Sequence, residues 1–284
     1  MTRLFERAVV AGVGLIGGSL ALAARRAGLI GEVVGFGRTR ENLDVALKRG
    51  LVDRVSQDPA EAAQGADFAL LAVPVGALAP VARALAPSLA PAAVVSDVGS
   101  VKTQVVREVS AALPAGLRFV GAHPIAGTED SGAVAADGNL FRGTRCIVTP
   151  VAGTDAGALD KVEALWRGVG AQVERLSPER HDEVFAWVSH VPHMIAYALM
   201  HAAPADTHPY AGPSFRDVTR VAGSGVEMWR DIVAANAAPI GAGLDAVMER
   251  LASLREAIRR GDRDAAATIF RAAREARRRL ESGK

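Results

Sequence analysis

Short apolar runs alternate with amphipathic stretches over residues 1–150, and the two patterns predict different elements. Ala8-Val9-Val10-Ala11, Val33-Val34-Gly35-Phe36, Asp67 to Val73, Ala93 to Asp97 and Phe119 to Ala122 are short and almost continuously apolar. Such runs predict strands buried on both faces. Arg40 to Arg49 has helical spacing, with Gly50 placed to close it. Strands alternating with helices predict a doubly wound parallel α/β sheet. A further apolar run at Cys146-Ile147-Val148, a helix over 154–168 and a short strand over 172–176 complete this part. Beyond Pro178 no strand pattern remains, and helical spacing covers 186–202, 226–235, 240–260 and 263–281. We therefore expect two domains, 1–177 and an all-α 178–284. The Pro- and Gly-bearing stretch 203–214 reads as a mobile loop. Helices this apolar are expected to bury their surplus face in a second subunit, so a homodimer is expected.

The first strand runs into Gly12-Val13-Gly14-Leu15-Ile16-Gly17-Gly18-Ser19 and then a helix. Gly12 permits a sharp turn, Gly14 lets the backbone approach a pyrophosphate, and Gly17 lets helix and strand pack closely. The N–H groups at Leu15 and Ile16 open the helix, whose N-terminus favours an anion. Strand, turn and helix stand in the order that a Rossmann-like dinucleotide site requires, so 1–177 reads as the cofactor domain. The same uncharged stretch after Arg3 and Arg7 invites comparison with a secretory signal. Glu6 interrupts the basic start, and the glycines sit where the nucleotide turn needs them. The run is also too short to span a membrane, and the apolar residues 68–96 are broken by four prolines and Arg83.

Half of the 284 residues are hydrophobic, enough for a core without disulfides or metals. The one cysteine, Cys146, allows no internal disulfide, which accords with a cytoplasmic setting. A net charge of +2 gives no footing for nucleic acid. Residues 249–284 carry a local +5, read as the solvated face of the last helix.

The residue ending the second strand selects the cofactor in such a fold: a carboxylate there accepts the ribose hydroxyls of NAD. The position is Gly37, followed by Arg38 and Thr39. A small residue beside a guanidinium suits a 2′-phosphate, so NADP or dual use with NAD is expected. Val73-Pro74, ending the third strand, would line the same crevice.

Chemistry-bearing residues stand at other strand ends. His123 follows a strand and precedes Pro124 and a Gly turn; its ordinary pKa suits proton exchange near neutrality. Ser100 in Asp97-Val98-Gly99-Ser100-Val101-Lys102 can donate to His123 or to substrate, or cap a helix beginning at Val101. In the helical half, His190 and His193 lie three apart on one face; no third ligand accompanies them, so no metal is expected. Phe215-Arg216-Asp217-Val218-Thr219-Arg220 brings cations to a predicted helix start. Arg220 can clamp a carboxylate or pair with Asp217.

Gly-Leu-Ile-Gly-Gly-Ser at 14–19, Asp-Val-Gly-Ser-Val-Lys at 97–102 and His-Pro-Ile-Ala-Gly-Thr-Glu at 123–129 occur in this order. Ser-His-Val-Pro-His at 189–193, Phe-Arg-Asp-Val-Thr-Arg at 215–220 and Met-Trp-Arg-Asp-Ile at 228–232 follow, then Asn236. Together they resemble the prephenate/arogenate (cyclohexadienyl) dehydrogenase family of tyrosine biosynthesis over nearly the whole chain. The resemblance implies oxidative decarboxylation, with hydride passing from the hydroxyl-bearing ring carbon to NAD(P). It implies that His123 draws off the hydroxyl proton, with Ser100 orienting both. Arg220 would bind the ring carboxylate and Asp217 fix its rotamer; His193 would line the pocket and Glu129 sit near the substrate side chain. The chain departs from NAD-specific members at Gly37. It is also expected to carry neither a regulatory domain after Lys284 nor a mutase segment before Met1.

Two rival readings share this architecture. Small β-hydroxyacid dehydrogenases depend on a lysine of the helical domain, yet 162–283 contain none. A non-catalytic NAD(P)-sensing module would leave Ser100, His123 and Arg220 unexplained.

Overall fold

The computed structural model describes residues 3–127 and 130–282. By its contacts the chain forms two compact units, Met1–Asn236 and Ala237–Lys284. The larger unit is built on one eight-stranded sheet. Its strands are β1 (Phe5–Ala11), β2 (Ile30–Phe36), β3 (Arg54–Ser56), β4 (Phe68–Leu71), β5 (Val94–Asp97), β6 (Arg118–Pro124), β7 (Arg145–Thr149) and β8 (Gln172–Arg175). They lie in the order β3-β2-β1-β4-β5-β6-β7-β8. All neighbouring pairs are parallel except β6 and β7.

The continuous apolar strands are explained by helices on both faces. α1 (Leu15–Arg26), α2 (Arg40–Lys48), α3 (Pro59–Ala63), α4 (Leu78–Leu85), α5 (Thr103–Ala112) and α6 (Ala156–Gly168) alternate with the strands. Side chains of a strand point alternately to its two faces, and here both faces are apolar. Ala8, Val10, Phe68 and Leu70 enter one buried cluster, whereas Val9, Ala11, Ala69 and Leu71 enter the other. Strand order reverses direction between β1 and β4, so their carboxyl ends open a crevice at the switch point.

Several local elements differ from the sequence pattern for identifiable reasons. β3 and α3 are too short to register as apolar periods. α3 forms because Asp58 accepts from Ala60 N and Glu61 N at 2.7 and 3.0 Å, and Pro59 opens the turn. β7 runs antiparallel to β6, departing from an all-parallel sheet; among the described residues between them the one helical element is the one-turn 3-10 helix Ala133–Ala135, in place of an α-helical crossover.

The chain continues through α7 (Pro178–Phe185), a π-helical turn at Ala186–His190 and α8 (Val191–Ala202). Pro192 has no N–H to offer, and its ring crowds the carbonyl of Val188, so the helix widens just ahead of it. Residues 203–214 are not an irregular loop: Ala205–Tyr210 is a 3-10 helix, started by bonds from Thr207 N and Oγ1 to the Pro204 carbonyl. His208 belongs to that helix. α9 (Pro213–Thr219) and α10 (Val226–Ala235) follow; Arg216 lies early in α9, and Arg220 opens the 3-10 turn Arg220–Gly223 directly after it. Trp229 and Ile232 of α10 join the buried cluster of Val9, Leu71 and Val95. These helices therefore form one compact unit with the sheet.

The second unit is the helical pair α11 (Ala237–Arg260) and α12 (Arg263–Ser282). Met248, Leu251 and Ile258 form an exposed stripe on α11, and Phe270 and Leu280 are exposed on α12. Among the described residues no helix is long and apolar enough to cross a membrane.

Candidate active site

The glycine turn after β1 is a steric necessity. Gly12 has φ +93°, and a Cβ there would stand 2.2 Å from the Ala72 carbonyl oxygen. A Cβ on Gly17 would stand 2.2 Å from the Gly12 carbonyl oxygen. Gly14 is different: its Cβ would meet nothing within 4 Å, and it caps α1 without a side-chain hydrogen bond. The first-turn N–H groups of Leu15 and Ile16 therefore keep the open approach that a pyrophosphate needs, and the residues present fit a dinucleotide. Across the crevice, Val73 and Pro74 follow β4, and Val73 packs on the buried cluster. Arg38 and Thr39 are exposed on the turn after β2, where Gln57 Nε2 holds the Arg38 carbonyl at 2.5 Å.

His123 lies half-buried near the carboxyl end of β6. Its Nδ1 meets Nε2 of His181 at 2.8 Å, and His181 Nδ1 meets Asp182 Oδ1 at 2.8 Å. Both His181 and Asp182 are buried on α7. Asp182 also accepts from Lys102 N at 2.7 Å and Thr103 N at 2.8 Å, and so caps α5 from a distance. This corrects the local expectation for Ser100: α5 begins at Thr103, and its cap is Asp182 rather than Ser100. Asn236 Nδ2 ties the arrangement to α10, donating to the Asp182 carbonyl at 3.0 Å and to His190 Nδ1 at 3.0 Å.

A buried ion pair underlies the site. Lys102 is fully buried, with Nζ 2.5 Å from Asp97 Oδ2 and 2.7 Å from the Ala122 carbonyl. Asp97 accepts further from Gly99 N at 2.7 Å and Ala122 N at 3.1 Å. The end of β6 is thus pinned from below, directly before His123.

The electrostatics favour a neutral imidazole. Burial, then the neighbouring His181, Lys102 and His190, push the His123 pKa well below the ordinary histidine value. Burial also lowers His181, although its bond to Asp182 opposes the shift. Asp182 is itself pushed up by burial, but the donors from His181, Thr103 and Lys102 outweigh this and hold it below the usual carboxylate range. His190 is brought down to about 4, chiefly by burial. Burial drives the Cys146 thiol up, which leaves it inert beside the His123 backbone.

Other expected site residues spread along the helices. His193 donates from Nδ1 to the Ser189 carbonyl at 2.8 Å, and its ring stacks on Trp229 with centroids 3.9 Å apart. The turn Arg220–Gly223 packs on α8, and Tyr197 Oη donates to the Ser224 carbonyl at 2.8 Å. Asp217 is exposed on α9. Ser100 is partly buried, and its backbone approaches His190. The bond at His123 Nδ1 goes to His181 rather than to Ser100. Glu129 lies outside the described residues. The apolar pattern does not point to His181, Asp182, Lys102 or Asn236. The available signal was the adjacent His-Asp pair one turn into a helix opened by Ser177 and Pro178.

The nucleotide-binding domain of prephenate dehydrogenase matches residues 20–175, and the prephenate dehydrogenase dimerization domain matches residues 177–272. The cyclohexadienyl dehydrogenase of Zymomonas mobilis is 35% identical over 98% of this chain and 97% of its own length. A prephenate dehydrogenase from A. aeolicus, solved with hydroxyphenyl propionate and NAD+, superposes with a TM-score of 0.89. It is 34% identical and covers 97% of this chain and 98% of that one. The Synechocystis arogenate dehydrogenase follows at a TM-score of 0.81 and 30% identity, covering 96% and 99%. Matched through both of its predicted halves, the chain belongs to the prephenate dehydrogenase family.

Proposed function

We propose that this chain oxidatively decarboxylates prephenate or arogenate in tyrosine biosynthesis, with His123 as the proton acceptor. The observation that carries the reading is a half-buried imidazole near the carboxyl end of β6, on the same sheet edge as a turn shaped for a dinucleotide. A nicotinamide dinucleotide held at the Gly12–Gly17 turn would supply the hydride acceptor for the ring carbon bearing the hydroxyl. His123 accepts the hydroxyl proton as that carbon gains carbonyl character. Ser100 hydrogen-bonds the same oxygen. The bond to the ring carboxylate then breaks, its electrons complete the aromatic ring, CO₂ leaves, and the oxygen recovers a proton. The product is 4-hydroxyphenylpyruvate from prephenate, or tyrosine from arogenate. Aromatisation supplies much of the driving force, so the protein contributes mainly orientation and one proton acceptor. Mixing the protein with each substrate and each cofactor, and following reduced nicotinamide by absorbance, tests the assignment. No turnover in any of the four mixtures rejects it.

Arg220 receives the ring carboxylate, and His193 lines the pocket beside Trp229. Arg220→Gln should raise KM about tenfold or more while kcat stays within a few-fold, because a charge-assisted clamp acts on bound substrate and transition state alike. A loss confined to kcat would remove this role.

The cofactor is a nicotinamide dinucleotide, and we assign NADP or dual use. Gly37 offers no carboxylate to a ribose, and Arg38 is exposed beside it. Arg38→Ala should lower kcat/KM with NADP about tenfold and barely change it with NAD, as expected for losing one charge-assisted contact. Equal effects on both would refute the assignment.

We further infer a cytoplasmic homodimer. The match to a dimerization domain and the exposed stripe Met248, Leu251 and Ile258 support the second subunit. The two family matches meet between residues 175 and 177, which supports a cofactor domain of 1–177 and a substrate and dimerisation domain of 178–284.

A further inference from the structure

We propose that His181 and Asp182 are positioning residues that lock His123 in a single tautomer, with Nδ1 protonated and Nε2 bare to receive the substrate proton. The inference rests on His123 being the proton acceptor and deepens that reading. Its footing is a line of two short contacts, His123 Nδ1 to His181 Nε2 and His181 Nδ1 to Asp182 Oδ1, each 2.8 Å.

Proton placement along this line follows from counting donors. Asp182 accepts two backbone N–H groups, from Lys102 and Thr103, and stays ionised. An ionised carboxylate only accepts, so His181 Nδ1 carries the proton of the second contact. A neutral His181 then has a bare Nε2, which accepts from His123. His123 therefore holds its proton on Nδ1, and its other nitrogen is a lone-pair acceptor. The inverse arrangement needs a cationic His181. That residue is fully buried, and the neighbouring Lys102 ammonium opposes a second cation there.

The line is rigidly held. Asp182 is anchored to the start of α5, and its carbonyl accepts from Asn236. The Phe185 ring lies 4.4 Å from His181 and 4.8 Å from His123, between centroids, and packs against both imidazoles. Around His123 stand Lys102 before α5, His181 on α7 and His190 on the π-helical turn, and the Cys146 thiol of β7 meets its backbone. Only His181 touches its ring nitrogens among the described residues. Second partners of this kind set tautomer and ring orientation elsewhere in protein chemistry.

Nitrogen NMR of the isotope-labelled wild-type protein near neutral pH tests the tautomer without any turnover, with His123→Asn assigning the signal. We expect a bare Nε2 and a protonated Nδ1 at His123. A protonated Nε2 in the wild type overturns the proposal even if the enzyme turns over both substrates. Kinetics supply the second arm. His181→Leu should lower kcat about 10- to 100-fold with KM within a few-fold, the scale seen for outer partners of a working histidine. His181→Gln retains an oxygen that can accept from His123 Nδ1, and should stay within about fivefold of the wild type, as when one hydrogen bond is weakened rather than lost. Adding His181→Leu to His123→Asn should cost nothing further, since the two act as one unit. Independent, multiplying losses in the double variant overturn the proposal as well.

Discussion

His123→Asn lowers kcat by about 10²- to 10⁴-fold, the usual contribution of a positioned general base, and leaves KM for substrate within a few-fold. Asparagine is the informative replacement. Its amide N–H can still reach His181 Nε2 from where Nδ1 stood, so the buried line survives. What disappears is the lone pair at Nε2, the group that meets the hydroxyl. Steady-state rates of nicotinamide reduction check the split. A variant that loses binding and keeps turnover would move the proton acceptor elsewhere. The pH dependence carries a second expectation with a definite sign. A base works in its neutral form, which exists above its pKa. Because burial, His181 and Lys102 push the His123 pKa down, the acidic limb of kcat/KM should lie below about pH 6.5, the ordinary histidine value. In His123→Asn that limb should vanish from the residual rate.

The parts of this site that were legible in the sequence are those whose causes are local. Gly12, Gly14 and Gly17 are demanded by one turn and its two nearest carbonyls, so the motif and its geometry coincide. The buried strands announce themselves because both faces need apolar residues. His123 was visible as a histidine at a strand end. What the pattern could not convey is what touches it. His181 stands 58 residues away, and Asp182 caps α5 across 80 residues, replacing the local serine that the motif around Ser100 invites. Asn236 reaches back 54 residues to Asp182. Such contacts depend on how α7 seats against the sheet, which no periodicity encodes. The direction of β7 was illegible for a related reason: an apolar run reads the same in either sense. Lys102 was read only as part of a motif, because a lysine suggests an exposed cation, whereas its role is set by Asp97 beneath it.

Asp97→Asn should destabilise the protein by about 3–5 kcal/mol, the scale for stripping one partner from a buried ion pair. Lys102 has no access to solvent, and its ammonium is matched by one carboxylate and the Ala122 carbonyl. The amide would also turn at least one N–H toward a group that already donates, since Gly99 N and Ala122 N both point at the original carboxylate. Urea unfolding followed by circular dichroism measures the loss as a lower midpoint at unchanged slope. The sign of its pH dependence distinguishes this cause from a general loosening of the fold. Burial already lowers the Lys102 pKa, and the charge of Asp97 is the largest influence raising it again. Without that charge the folded-state pKa of Lys102 falls further below the ordinary lysine value, so above that folded pKa the unfolded chain binds more protons than the folded one. Stability of the variant should therefore climb with pH, relative to the wild type, between that lowered pKa and the ordinary lysine value of about 10.4, by at most about 1.4 kcal/mol per pH unit for one proton. Asp97→Asn with Lys102→Met removes both charges together and should recover most of the loss. If the double variant is as unstable as the single one, the cost lies in the shape of the β5–β6 junction and not in the orphaned ammonium. The ammonium holds the Ala122 carbonyl, one residue before His123, so the same pair that stabilises the core also holds the strand end from which the imidazole projects.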